Sequence, residues 1–147
     1  MQVYRIARAQ FARDLSGEGA ALFGGRWNPR GEPLLYCANS TALAALEVLV
    51  HIDASLGLPK LARVTIEVPD EWIDPRAPIF FADERQCLRH GTNWLRSGES
   101  LCLKVLSATL PPVATDSFNL LINPAHPAFA AIHLLDARAF EFDSRLF

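Results

Sequence analysis

The sequence predicts an α+β fold: mostly strands, with one long helix and several smaller ones. Three observations lead there. Segments of alternating, β-branched character recur along the chain, the clearest being residues 61–68 (LARVTIEV). One run, residues 41–54, carries apolar side chains at helical spacing. Ten prolines and eight glycines cut the remainder into short elements joined by defined loops. The 147 residues, half of them apolar or aromatic and a fifth charged, suit one globular domain over 1–147, long enough to bury a sizeable core.

Taken in order, residues 3–7 alternate like a short strand and lead into 8–15, a helical turn or loop. Residues 17–31 hold Gly17, Gly19, Gly24, Gly25 and Gly31. Such density signals backbone in positive-φ conformations or passing close to a ligand. Pro33 opens a compact apolar strand at 34–38. The helix at 41–54 is capped by Ser40 or Thr41 and ends near Gly57 and Pro59. Leu43, Leu46, Val50 and Ala54 form its apolar stripe, with Glu47 and His51 one turn apart on the edge. Burying that stripe carries Glu47 to the core boundary.

Residues 61–68 form a strand stopped by Pro69, and 71–81 read as loop with prolines at 75 and 78. A short helix at 83–90 has Gly91 at its C′ position. Residues 100–107 (SLCLKVLS) are a strand, 111–127 a loop, and 137–142 a last strand before the tail at 143–147.

Composition narrows the function. No segment offers the ~20 unbroken apolar residues of a membrane span, and the N-terminus lacks the apolar run of a secretory signal. The expected location is the cytoplasm. Net charge is −2, arginines are spread along the chain and the only lysines are Lys60 and Lys104. An extended phosphate-tracking surface is therefore not expected, nor direct contact with nucleic acid. Cys37, Cys87 and Cys102 are odd in number, far apart and flanked by apolar residues, the pattern of buried thiols rather than of a disulfide framework. The four histidines lack metal-ligand spacing, so no metal is expected. A P-loop and a GxGxxG turn are also absent.

Four features could carry chemistry. Arg26, in Gly24-Gly25-Arg26-Trp27-Asn28-Pro29, has a fork suited to phosphate or carboxylate; the plainer alternative is a surface arginine stacked on Trp27. Glu47 lies in an otherwise apolar run (ALAALEVLVH), where a carboxylate needs a partner; a local pair with His51 would satisfy it. Tyr36 and Ser107 stand at or near strand ends, and no Gly-x-Ser-x-Gly elbow marks Ser107 as a nucleophile. His126, in the loop 119–127 (NLLINPAHP), could shuttle protons or merely stabilise a turn.

Together these pieces resemble the RES-domain family, the toxin half of bacterial RES–Xre toxin–antitoxin pairs. The resemblance rests on Gly25-Arg26-Trp27-Asn28 running through Gly31 to Tyr36-Cys37-Ala38. It continues with Ala45-Leu46-Glu47-Val48-Leu49-Val50-His51, Leu103-Lys104-Val105-Leu106-Ser107-Ala108, Asn119 with Asn123-Pro124-Ala125-His126-Pro127, and the terminal Asp143-Ser144-Arg145-Leu146-Phe147. It implies an ADP-ribosyltransferase-like mixed β core. It also implies a catalytic Arg26, Glu47 and Ser107, with Arg26, Tyr36, Glu47 and Asn119 binding NAD+. Two departures stand out: Val105-Leu106-Ser107 replaces the family's usual Val-Pro-Ser, and the stretch from Ser107 to Asn119 is longer than usual, which leaves Ser117 as the alternative serine.

By that resemblance the chain is an NAD+ glycohydrolase or phosphorylase that cleaves the nicotinamide–ribose bond and arrests growth. NAD+ is then the substrate rather than a cofactor, with inorganic phosphate as the co-substrate in the second case. The implied partner is an Xre-type helix-turn-helix antitoxin covering the cleft, and a homodimer is the implied assembly. Two other readings stay open: an ADP-ribosyltransferase acting on a macromolecule, and a catalytically impaired module that binds NAD+ or antitoxin.

Overall fold

The computed structural model describes residues 1–147. Six strands form one antiparallel sheet: β1 (Gln2–Arg8), β2 (Leu35–Ala38), β3 (Leu61–Glu67), β4 (Cys102–Leu106), β5 (Phe118–Ile122) and β6 (His133–Phe140). Their spatial order is β4-β5-β2-β1-β3-β6. Three helices accompany them, α1 (Glu18–Phe23), α2 (Thr41–Leu49) and α3 (Glu84–Ser97). The α+β expectation holds, and β1 to β4 lie within a residue or two of the expected segments, while β6 starts at His133, ahead of the expected 137–142.

Other elements differ from expectation, beginning with α1, which makes residues 18–23 of the glycine-rich stretch a helix. β5 occupies a stretch whose flanking prolines suggest loop. Leu120, Leu121 and Ile122 are all fully buried, so this part of the interior strand shows none of the alternation that marks a half-exposed one. The helix expected over 41–54 stops at Leu49; Val50 is exposed, and Asp53 draws the chain into a separate 3-10 turn by accepting from the Ser55 amide at 3.0 Å. α3 is longer than predicted and is the longest helix of the chain. It passes straight through Gly91 and ends at Gly98, whose φ of 62° supplies the left-handed cap.

Gly91 is inside α3 for a packing reason. A Cβ there would sit 1.9 Å from the Trp27 carbonyl oxygen, so only glycine lets the helix approach the loop bearing Arg26. Cys87, Gly91, Trp94 and Leu95 form the buried stripe of α3, at the spacing one helical face requires. Trp94, Leu95 and Cys87 join Trp27, Leu34 and Leu121 in one apolar cluster. A second cluster, Ile6, Ala38, Leu43, Ala44 and Leu61, seats α2 against β1 and β2.

All three cysteines are buried and free, as their apolar flanks suggest. No helix is long and apolar enough to cross a membrane.

The sheet is not evenly zipped. β1 and β2 pair through Tyr4↔Ala38 alone, whereas β1 pairs with β3 along its whole length. Beyond that single pair, toward Ile6 and Arg8, the two strands part. The parting opens a cleft.

Candidate active site

The cleft is about 1350 Å³ and is lined from both parted strands, from α2 and from the glycine-rich loop. Arg26, Tyr36, Glu47 and Asn119 all border it. Ser107 stands behind Glu47, almost wholly buried at the end of β4. The structure thus brings together all five residues that the resemblance assigns to the site. It includes Ser107 rather than the alternative Ser117, which makes no hydrogen bond to Glu47.

Glu47 projects from the second turn of α2, whose start is fixed by the Ser40 hydroxyl accepting from the Leu43 amide at 3.1 Å. Its carboxylate is half-buried, and one oxygen is doubly held. Oε1 accepts from the Ser107 hydroxyl at 2.5 Å and from the Asn119 side-chain amide at 2.7 Å. The local alternative, a pair with His51, does not form; His51 is exposed just past the helix end. Donors from two neighbouring strands, β5 and the end of β4, have replaced it. Oε2 is left without a protein donor, on a residue that lines the cleft.

Arg26 is held differently. It makes no ion pair and no side-chain hydrogen bond, so its five donors remain for a ligand. Its backbone, in contrast, is clamped. The Gly25 amide donates to the Asn28 carbonyl at 2.9 Å, closing a tight loop around Arg26 and Trp27. Asn28 is 1% exposed, and its side chain is the hub of this corner. Its amide nitrogen donates to the carbonyls of Ala20 at 2.9 Å, Glu32 at 3.0 Å and Pro29 at 3.2 Å. Its Oδ1 accepts from the Tyr36 hydroxyl at 2.7 Å, and that hydroxyl in turn accepts from the Trp27 amide at 3.1 Å.

The Tyr36 hydroxyl is therefore spent on the loop, and what the cleft receives from this residue is its ring. Burial pushes the phenol up to about 12, with the Trp27 amide bond and the nearby Arg26 charge pulling in the opposite direction. Gly25 completes the clamp, because a Cβ there would meet the Tyr36 hydroxyl at 2.6 Å and Asn28 Oδ1 at 2.8 Å.

Asn28 is part of the Gly-Arg-Trp-Asn string but carries no signal of its own, since an asparagine before proline reads as a turn residue. The departure at Leu106 also gains a physical use. Its amide donates to the Ile79 carbonyl at 2.8 Å, a bond that a proline cannot make, and this ties the loop before α3 to β4. His126 lies outside the cleft; its Nδ1 accepts from the Ala128 amide at 3.0 Å and its ring meets Trp72 edge-on. That is the turn-stabilising role. No group of three or more His, Cys, Asp or Glu side chains is arranged to hold a metal ion.

The cleft's chemistry is thus a free guanidinium, an aromatic ring and a carboxylate with one open oxygen. Known proteins resemble this chain in fold and sequence. A chain in the crystal structure of the M. tuberculosis MbcT–MbcA toxin–antitoxin complex superposes with a TM-score of 0.71 at 23% identity, over 95% of this chain and 83% of that one. The Prs ADP-ribosylating toxin of Sphingobium sp. is 40% identical across 95% of this chain and 91% of its own length. Toxin Res of Yersinia enterocolitica is 37% identical across 99% of both. The RES domain model matches residues 2–143, and the chain belongs to the RES domain family.

Proposed function

We propose that this chain is the toxin of a toxin–antitoxin pair and an enzyme that cleaves the nicotinamide–ribose bond of NAD+. The observation that carries the reading is the carboxylate of Glu47, fixed through one oxygen and open through the other, across a cleft from an unpaired arginine. Breaking this bond builds positive charge on the ribose while nicotinamide leaves neutral, so the reaction needs no strong general acid. It needs a preorganised negative group facing the developing oxocarbenium ion and the 2′-hydroxyl. Glu47 Oε2 is the group for that task. Arg26 takes the pyrophosphate through its fork, and the Tyr36 ring stacks at the nicotinamide end.

Ser107 acts by holding Glu47, as does Asn119; neither is a covalent nucleophile here. An antitoxin of the helix-turn-helix Xre type covers the cleft in the resting cell, and any nucleic-acid contact belongs to that partner. The test is direct: incubate the purified chain with NAD+, with and without inorganic phosphate, and identify the products by mass. Free ADP-ribose supports hydrolysis and ADP-ribose 1″-phosphate supports phosphorolysis. Unchanged NAD+ under both conditions, with no labelled macromolecule, overturns the reading.

A second reading has a specific observation behind it. The 40%-identical relative is named an ADP-ribosylating toxin, and transfer to a macromolecule uses the same bond cleavage with a different acceptor. Isotopically labelled ADP-ribose appearing on protein or RNA, rather than free in solution, would decide for it.

A further inference from the structure

Hydrogen-bond valence around Ser107 points to a residue that the Arg–Glu–Ser pattern does not include. Three polar atoms surround Ser107 Oγ: Glu47 Oε1 at 2.5 Å, Thr109 Oγ1 at 2.6 Å and the Thr109 backbone nitrogen at 3.0 Å. A hydroxyl has one proton and two lone pairs. The ionised carboxylate can only accept, so it takes the proton. The Thr109 amide can only donate, so it takes one lone pair. The remaining lone pair must receive the Thr109 hydroxyl proton, which fixes the direction of that bond.

Two consequences follow. Ser107 is saturated and has nothing to offer a substrate. Thr109, having given its proton inward, keeps only acceptor lone pairs. Thr109 lines the cleft and is half-buried there. Glu47 Oε2 is likewise an acceptor, and the saturated Ser107 hydroxyl stands between the two. The cleft wall at this point therefore presents two neighbouring acceptors, Thr109 Oγ1 and Glu47 Oε2, with the Asn119 side-chain amide beside them committed to Glu47 Oε1. A ligand group that matches has two adjacent donors, as the vicinal diol of a ribose has.

We propose that Thr109 is a fourth functional member of the site, accepting a hydrogen bond from the ribose 3′-hydroxyl while Glu47 meets the 2′-hydroxyl. By donating to Ser107, it also keeps the serine proton on Glu47. The proposal rests on the NAD+ reading above.

The test compares wild type, Thr109→Val and Thr109→Ser on NAD+ and on its analogue lacking the 3′-hydroxyl of the nicotinamide ribose. Thr109→Val is nearly isosteric and should lose about tenfold in kcat/KM on NAD+, the size of one hydrogen bond of this kind. Thr109→Ser should restore it. Wild type should lose a similar factor on the 3′-deoxy analogue, and Thr109→Val should lose nothing further. That non-additivity is the signature of contact, because a merely structural threonine would give two losses that multiply. Multiplying losses, or full activity of Thr109→Val, overturns the proposal while leaving NAD+ cleavage intact. A wild type without activity on NAD+ for any acceptor overturns both. If Thr109→Val fails to fold, the wild type alone decides, since indifference to the missing 3′-hydroxyl removes the contact.

Discussion

Arg26 and Glu47 face one cleft but are held in opposite ways. At the arginine corner every hydrogen bond goes to backbone or to neighbouring side chains: Asn28 gathers three carbonyls, Tyr36 closes on Asn28 and the Trp27 amide, and the guanidinium itself is untouched. At the glutamate corner the bonds go straight to the charged group, from Ser107 and Asn119. A long flexible arginine that must grip a ligand is best delivered by a rigid loop and left unpaired. A carboxylate that must face developing charge is best oriented at one oxygen and free at the other. The two corners should therefore fail differently when altered.

The largest expected effect is at the glutamate corner. Glu47→Gln removes the charge while keeping the shape, and kcat should fall by roughly 10²–10³, the scale of losing one preorganised electrostatic group. Steady-state turnover of NAD+ measures it, and a wild-type-like rate would break the comparison.

The arginine corner should instead fail through position. Gly25→Ala removes no chemical group, yet its methyl must displace the Tyr36 hydroxyl and Asn28 Oδ1. Both belong to a buried, closely bonded hub that cannot swing aside without losing bonds. We expect a stability loss of about 1–3 kcal/mol by thermal melting, together with lowered kcat/KM although Arg26 is still present. Activity falling with no change in melting would mean that the clamp is not what positions the arginine.

Tyr36→Phe should come next. It leaves the Trp27 amide and Asn28 Oδ1 without their partner, a loss of about 1–3 kcal/mol by chemical denaturation. A variant as stable as wild type would show that neither group depends on the phenol.

The smallest effect is the alkaline one. Burial raises the Tyr36 phenol to about 12 in the folded chain against an ordinary value near 10. The folded state thus holds this proton more tightly than the unfolded one. Its contribution is complete below pH 10 and is lost as pH rises from about 10 to about 12. The buried Cys37 thiol, also pushed up to about 12 by burial, adds a loss of the same sign. Tyr36→Phe should therefore flatten, without abolishing, the fall of stability across this range. An unchanged slope would contradict the buried, bonded phenol.

Several features of the site are legible in the amino-acid order alone. Glu47 stands out as a carboxylate in an apolar helical run, and Arg26 as a guanidinium among glycines, because charge against a periodic background is a local signal. The α+β class is legible for the same reason, since alternation and β-branching act over a few residues. β5 is not, because a strand buried on both faces carries no alternation and its flanking prolines suggest loop. Gly91 reads as a helix end, because the same residue serves a cap and a close approach equally well.

What the sequence by itself determined, then, is which residues are chemically unusual and which short segments prefer strand or helix. Only the tertiary structure decided what completes them. Ser107 and Asn119 lie 60 and 72 residues from Glu47, and Thr109 matters only because Ser107 has one proton and must direct it at that carboxylate. Gly91 must be glycine because Trp27 packs on it from a loop far away in the chain. Hydrogen-bond valence and steric contact are satisfied between residues distant along the chain, and no local pattern records which partner is chosen.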